Sequence, residues 1–281
     1  MYNSADGASN ERQATFLHLI RAEYILLFVA SVLSLDLWPS QTYFAIYAGV
    51  FLCSMGVLIF RSVTKPEQVW YQARALAESV KTLTWRFAMR AQPFDDAKVA
   101  DARADFRKLM ADILDSNRHI GNALSGTDSA SPQTTDEMMA VRDSSLKDRK
   151  DLYLQKRIGD QRKWYERKAR ANKRSAKTWM GLGVVAYGLG FAFIVVRIAD
   201  PTMPGWPTEP LIVVASALIG WTQIKKFNEL ASAYTLTAHE IGLTADLIDD
   251  AKTDDAFSAA VNEAELAFSR EHTQWVARQN N

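Results

Sequence analysis

The side chains best suited to chemistry are few and scattered in this sequence. Its four histidines, His18, His119, His239 and His272, have none of the spacings with which histidines bind a metal. Its single cysteine, Cys53, lies in an apolar run with no base beside it, and one cysteine excludes an intrachain disulfide or a cysteine zinc cluster. Neither of the common glycine-rich phosphate loops is present. We therefore expect no catalytic residue, no metal and no cofactor, and we predict that the protein is not an enzyme.

The strongest chemical signal is a basic stretch, "QRKWYERKARANKRSAK", which packs eight basic side chains into 16 positions and then runs into uncharged residues. At 100° per residue, five of the cations share one face of a helix, and Tyr165, Ala169 and Trp179 lie on the opposite face. Nucleic acid would explain the charge but not the apolar run that follows. We interpret the stripe as facing anionic lipid headgroups, which attract each cation by about 1 kcal/mol. The basic stripe consists of Lys163, Arg167, Arg170, Arg174 and Lys177.

Four apolar runs lie on the 281-residue chain. A helix that crosses a bilayer core of about 30 Å needs about 20 mostly apolar residues. The second and third runs approach that length with their flanks, whereas the first and fourth, taken alone, are equally typical of buried helices in a soluble bundle. The runs comprise residues 24–38, 43–60, 179–196 and 211–224.

The connections between the runs favour membrane spans. "PSQT" joins the first pair and the proline-rich "RIADPTMPGWPTEP" joins the second, so each pair forms a helical hairpin whose members both span or both do not. Tryptophans and tyrosines lie near the ends of the runs, and basic residues flank the outer ends of both hairpins. We predict an all-α integral membrane protein with two transmembrane helical hairpins, four spans, long cytoplasmic helices and both termini in the cytoplasm.

Helical signals also organise the remaining segments. Thr64 to Glu67 has the form of a capping box with proline at the first helical position. The turn-rich segment 121–134 marks an internal boundary, so we divide the chain at about residue 150 into units 1–150 and 151–281. Helices are predicted from 66 to before Pro93, from about Asp95 towards 118, from about Thr135 into the third run, and over 225–249 and 254–278.

Small residues recur at helical spacing on the apolar runs and permit close helix contact, within one chain or between subunits of an oligomer. Hydroxyl side chains are the few polar groups at depth, and no charged residue lies in the middle of a run, which disfavours a proton-coupled transporter. The predicted packing residues are Ala45, Gly49, Cys53, Gly183, Ala186, Gly190, Ser216 and Gly220. The candidate pore-lining residues are Ser31, Ser34, Tyr47, Tyr187 and Ser216.

Three segments resemble a known family. "VWYQARALAESVKTLTWRFAMRAQPF", "RIGDQRKWYERKARAN" and "FSREHTQW" are similar to SLATT domains, two-helix membrane effectors associated with bacterial nucleotide-signalling systems. The first half resembles one subtype and the second half another, fused in tandem. The motif residues, whose role is structural or in coupling a signal, are Trp70, Tyr71, Arg74, Glu78, Lys81, Trp85, Tyr153, Arg157, Gln161, Trp164, Tyr165, Lys168 and Asn172.

The resemblance implies an effector of prokaryotic antiviral defence in the bacterial inner membrane. Such an effector forms pores or perturbs the membrane under control of a nucleotide signal, such as a cyclic oligonucleotide, or of a signalling protein partner. Four short helices leave little room for a channel in one chain, so a pore implies a homo-oligomer. The competing hypothesis is a membrane-anchored scaffold that recruits a partner and conducts nothing.

Overall fold

The computed structural model describes residues 1–95, 98–125, 132–202 and 207–279, with side chains up to Phe268. These ranges contain helices and no strand, which confirms the predicted all-α class. The α-helices are α1 (Tyr2–Leu33), α2 (Gln41–Thr64), α3 (Pro66–Ala88), α4 (Val99–Ser116), α5 (Asp136–Asp143), α6 (Leu146–Leu152), α7 (Asp160–Ala199), α8 (Thr208–Lys225), α9 (Phe227–Asp250) and α10 (Asp254–Gln279). A 3₁₀ helix spans Arg118–Ala123, and a π-helical segment, Tyr153–Gly159, joins α6 to α7.

Three helical stretches in the described part of the chain are long and apolar enough to cross a membrane. They are Tyr2–Leu33, Gln41–Ala88, which combines α2 and α3, and Leu146–Ala199, which combines α6, the π-helical segment and α7. Helix α8, with 18 residues and the polar start Thr208-Glu209, is not among them.

The chain divides into two compact units, each of which takes segments from both halves of the sequence. The first unit contains Met1–Ala14, Pro66–Tyr165 and the chain from Leu236 onward. The second unit contains Thr15–Lys65 and Glu166–Thr235, and therefore all four apolar runs.

The first unit has a core built on the apolar face of α3. Ala73, Leu76, Val80, Leu83 and Phe87 recur at helical spacing and are all buried. Helix α10 lies along α3, and α4 and α5 also pack against it. An aromatic cluster closes the end of this core, where the ring of Phe87 lies 4.8 Å from that of Phe106 and 5.7 Å from that of Phe94.

The second unit has a smaller buried cluster, formed by Ile20, Trp221 and Phe227. Its α1–α2 hairpin is fixed at both ends: the Tyr43 hydroxyl donates to the Leu33 carbonyl (2.6 Å), and Arg61 pairs with Glu23 (2.8 Å).

The predicted bounds of the first run and of the helix after 135 are wrong. Helix α1 begins at Tyr2, so it already contains Arg12 and Arg21, and it ends at Leu33 because Asp36 adopts a left-handed backbone (φ 48°) ahead of Pro39. The helix expected from Thr135 is interrupted after Asp143. The Ser145 hydroxyl accepts from the Asp148 N–H (3.2 Å) and starts a new helix, as an N-cap serine does.

Helices α2 and α8 end in the same way. Lys65 after α2 and Lys226 after α8 both have left-handed backbones, with φ of 41° and 47°, and each N–H donates to the carbonyl four residues earlier at 2.9 Å. Pro66 opens α3 as predicted, but the capping box does not form. Thr64 is the last residue of α2, and its hydroxyl donates back to the Phe60 carbonyl (2.8 Å).

Candidate functional site

Two helical faces in the first unit bring buried and partly buried charged side chains together. On α3, Arg74, Glu78 and Lys81 follow each other at i, i+4 and i+7 and so share one face. From the second half of the sequence, the π-helical segment supplies side chains to the same place, and π-helical turns are frequent at functional sites. The set comprises Asp6, Arg74, Glu78, Lys81, Tyr153, Arg157, Gln161 and Glu265, and we call it the buried charge network.

An ion pair between Arg157 and Glu265 forms the centre of the network. The Arg157 Nε lies 2.7 Å from Glu265 Oε1, and its Nη2 lies 2.6 Å from Oε2, so the pair is bidentate. The side chains are 1% and 0% exposed, which leaves neither charge any access to water. The guanidinium also lies 4.6 Å from the ring centre of Phe268. Each charge therefore depends on the other for its stabilisation in the interior.

Aromatic side chains enclose this ion pair. The Tyr153 hydroxyl donates to Glu265 Oε1 (2.9 Å), and Tyr153 itself is fully buried. The rings of Trp85 and Phe257 meet the Tyr153 ring edge-on, with centroids 5.7 and 6.3 Å away. These rings exclude water from the Glu265 carboxylate. The carboxylate accepts three hydrogen bonds, one from Tyr153 and two from Arg157.

Polar contacts extend the network to α3. With the amide turned so that its oxygen faces the donors, Gln161 accepts from Arg157 Nη1 (2.7 Å) and from Lys81 Nζ (3.2 Å). Lys81 lies 3.7 Å from Glu78, whose other oxygen pairs with Arg74 at 3.0 Å. Arg74 also donates to Asp6 Oδ1 at the start of α1 (3.0 Å). The contacts thus connect segments from both ends of the chain.

The surroundings shift the pKa values of three residues in the network. Burial lowers the pKa of the Arg157 guanidinium, but the Glu265 carboxylate more than offsets it, so that pKa is raised. Burial lowers the pKa of Lys81, against the pull of Glu78. Burial and the Glu265 charge raise the pKa of Tyr153 well above its ordinary value. The raised values favour a charged Arg157 and a protonated Tyr153, and so favour the ion pair and the hydrogen bond that hold these helices together.

We expect Tyr153→Phe to cost about 1 kcal/mol of unfolding free energy at neutral pH, the value of one hydrogen bond. Because the folded-state pKa of Tyr153 is raised, its contribution is complete below the unfolded pKa of about 10 and is lost as the pH rises towards the folded value. The difference between wild type and Tyr153→Phe should therefore shrink above pH of about 10. Denaturant unfolding in mild detergent at several pH values measures it, and a difference that stays constant would contradict it.

Two further buried arginines hold the end of α3. Arg142 donates to the carbonyls of Phe87 (2.8 Å) and Phe94 (2.7 Å), and its guanidinium lies 4.9 Å from the Phe87 ring centre. Arg149 donates to the Met89 carbonyl (2.8 Å) and pairs with Asp254 at the start of α10. Arg142 is a second donor to the Phe87 carbonyl, which also accepts from the Arg90 N–H (3.2 Å), and the cations complement the negative end of the helix dipole.

The other motif residues lie outside the network. Trp70 stacks on Tyr71 at the start of α3 (4.5 Å), and Trp164 meets Tyr165 edge-on in α7 (4.9 Å). Burial and then Glu67 raise the pKa of Tyr71. Lys168 and Asn172 belong to the second unit, where the Asn172 amide donates to the Lys168 carbonyl (2.9 Å).

The predicted small residues differ in what surrounds them. A Cβ placed on Gly49, Gly183 or Gly190 meets no atom of another helix of the chain within 4 Å, whereas one on Gly220 overlaps the Tyr24 hydroxyl. Gly220 thus permits close contact between α8 and α1. Among the remaining small residues, Ala186 is buried, and Ala45, Cys53 and Ser216 are exposed.

The predicted pore-lining hydroxyls occupy different settings. The Ser31 hydroxyl donates to the Phe28 carbonyl (2.7 Å), and the Ser34 hydroxyl donates to the Ser31 carbonyl (2.8 Å). Tyr47 contacts Phe51 in α2 with ring centroids 5.2 Å apart, and Tyr187 is 54% exposed. Their role in a pore stays a prediction.

All five side chains of the basic stripe are exposed on α7, while Tyr165 and Ala169 on the opposite face are buried. In the described part of the chain, no group of histidine, cysteine or acidic side chains could hold a metal. His272 lies in the part of α10 whose side chains are not described.

Sequence reasoning missed Asp6 and Glu265, which complete the network. Glu265 carries a recognisable signal, because it falls on the face that Phe257, Val261 and Phe268 define at helical spacing. A single acid on an apolar face indicates a buried partner. Asp6 has no comparable signal, since it lies in a polar segment.

Family models match both halves of the chain. Residues 1–150 match the SMODS and SLOG-associating 2TM effector domain 3, and residues 153–275 match the SMODS and SLOG-associating 2TM effector domain 1. No curated protein and no solved structure matches the chain.

Proposed function

The chain belongs to the SLATT family and carries two of its two-transmembrane effector domains in tandem, as its motifs predicted, and from this we propose that it is a pore-forming membrane effector of a prokaryotic defence system. It acts in the bacterial inner membrane as a homo-oligomer, and a nucleotide signal or a signalling protein partner controls it. SLATT domains are effector domains of conflict systems, which supports a membrane effector role.

The proposal rests mainly on the surroundings of α2. Of the 24 residues in this helix, only Tyr43 is buried. Apolar side chains on several of its sides are about half exposed or more, among them Ile46 (56%) and Leu52 (63%). In water such a surface would aggregate, whereas lipid or a second copy of the chain covers it without cost.

We propose four spans, in two hairpins with both termini in the cytoplasm. Helix α8 has 18 residues and is about 27 Å long at 1.5 Å per residue, close to the bilayer core. Because its contact with α1 at Gly220 is tight, α8 spans beside α1 as half of the second hairpin.

A conducting path requires several subunits. Four short helices leave little room for a channel in one chain, so the face of α2 that carries Ala45, Gly49 and Cys53 is proposed to contact a neighbouring copy. A signal that acts on the cytoplasmic helices shifts these contacts through the buried charge network, which links α3 of the first domain to α7 and α10 of the second.

We expect induced expression of the chain, together with its native signalling partner, to depolarise a bacterial host, as a voltage-sensitive dye reports. Gly49→Leu should slow the depolarisation, since about 1.4 kcal/mol lost at each subunit contact lowers association about tenfold. A Cβ added at Gly49 meets nothing within 4 Å in its own chain, so the variant should still insert.

Ala48→Leu is the matched control, because it places the same leucine side chain on the same helix about 100° away from Gly49. Equal membrane insertion of both variants is checked first. Equal slowing by both variants would contradict a specific contact at Gly49, and an unchanged potential with wild type would favour the scaffold.

One observation favours the membrane-anchored scaffold as the second candidate. Leu236, Leu243 and Leu247 lie on one face of α9 and are 62%, 69% and 56% exposed. Exposed leucines at helical spacing are typical of a surface that contacts protein.

A further inference from the structure

Two cations in the second unit share one aromatic ring. The Arg21 guanidinium carbon lies 5.3 Å from the ring centre of Trp221, and the Lys225 ammonium lies 5.9 Å from the same centre. The two come from α1 and α8, that is, from different halves of the sequence. A tryptophan face attracts each cation, but two like charges gathered at one ring repel each other.

Neither cation has an ion-pair partner among the described residues. Another cation nearby does have such a partner: Arg61 pairs with Glu23 of α1 at 2.8 Å, and the carboxylate neutralises it. Arg21 and Lys225 therefore form an uncompensated positive site.

Two like charges held at one ring are stabilised when an anion joins them.

We propose that Arg21 and Lys225, around Trp221, bind the phosphate of an anionic lipid headgroup. The site differs from the basic stripe, whose cations follow one helix. A guanidinium and an ammonium on a rigid aromatic ring are suited to a compact oxyanion.

The surroundings select a lipid as the source of the phosphate. Trp179 lies beside Trp221 with ring centroids 6.0 Å apart, and paired tryptophans with cations are typical of the membrane interface. Basic pockets between transmembrane helices on the cytoplasmic side bind phospholipid headgroups. This step rests on the proposed membrane topology, but not on conduction.

Native mass spectrometry of the full chain in detergent tests the proposal, with phosphatidylglycerol as the probe and phosphatidylcholine as the neutral comparison. Wild type should retain phosphatidylglycerol preferentially. Arg21→Gln/Lys225→Gln should weaken it about tenfold or more, since two interfacial cations are lost. Arg21→Lys/Lys225→Arg keeps both charges and should retain most of the affinity, which separates charge from misfolding.

Arg103→Gln/Arg107→Gln on α4 removes the same charge from exposed positions and should change nothing. If that control, or Arg170→Gln/Arg174→Gln in the basic stripe, weakened phosphatidylglycerol binding equally, the binding would be a general electrostatic attraction. That result would overturn a defined site. Binding of millimolar inorganic phosphate without retention of phosphatidylglycerol, if it is lost in Arg21→Gln/Lys225→Gln, would support phosphate recognition but overturn the lipid as its source. This experiment measures lipid binding and not conductance. A negative result would therefore not change the interpretation of the depolarisation experiment.

Discussion

Replacing Glu265 with leucine should destabilise the protein by about 3–5 kcal/mol, because the substitution leaves the Arg157 guanidinium buried without a counter-charge. The pair is 1% and 0% exposed, so water cannot take over the role of the carboxylate. The Tyr153 hydroxyl loses its acceptor as well, which adds an unsatisfied buried donor. Arg157→Leu should cost a similar amount, since it leaves the carboxylate without its bidentate partner.

The double variant Arg157→Leu/Glu265→Leu should cost much less than the two single variants together. Apolar side chains of similar size often replace a buried ion pair without loss, whereas one unpaired buried charge is expensive. Denaturant unfolding in mild detergent, followed by the loss of helical circular dichroism, measures all three variants. Additive costs would contradict a coupled buried pair. Arg107→Leu, at an exposed position of α4, serves as the control and should change little.

The second large effect is expected at Arg142. Arg142→Leu should cost about 3–5 kcal/mol, because two hydrogen bonds from a charged donor are lost and the Phe94 carbonyl loses its donor. Arg142→Lys should recover only part of that loss. An ammonium cannot reach both carbonyls with the fork geometry of a guanidinium, nor lie flat against the Phe87 ring.

The same unfolding experiment measures the Arg142 variants, and proteolysis locates the effect. Loss of the cap should expose the connection after α3 to cleavage before the rest of the chain unfolds. Full recovery of stability by Arg142→Lys would show that charge alone matters and would contradict the fork geometry. Arg107→Lys provides the matched exchange at an exposed site.

The two predictions concern opposite ends of one assembly of helices. The buried charge network ties α3 to α7 and α10, while Arg142 and Arg149 fix the carboxyl end of α3. If a signal reaches the membrane hairpins through α3, variants at the network should alter the response to the signal as well as stability. Depolarisation measured with Arg157→Leu/Glu265→Leu, which is expected to remain folded, separates coupling from folding.

The sequence by itself determined the class of the protein and much of its helical order. Apolar runs, proline-bearing connections and helical spacing are local signals, so they predicted the all-α class, Pro66 as the start of α3 and the two helices after α8. The spacing of Arg74, Glu78 and Lys81 is likewise a local signal, and it is enough to place these residues on one face of a helix. The helix bounds near Leu33 and Ser145 were missed, because a left-handed residue and a serine cap each end a helix that the hydrophobic pattern would continue.

Only the tertiary structure decided which of these residues meet. Glu265 lies 108 positions after Arg157, and no local pattern names one as the partner of the other. Arg142 would be expected at the surface from its residue type, yet it is buried because the end of α3 presents carbonyls that need donors. Gly49 and Gly220 look alike on the sequence, but only Gly220 has a neighbour in its own chain. Helical spacing reports the face on which a residue lies, whereas its partner depends on how distant helices pack.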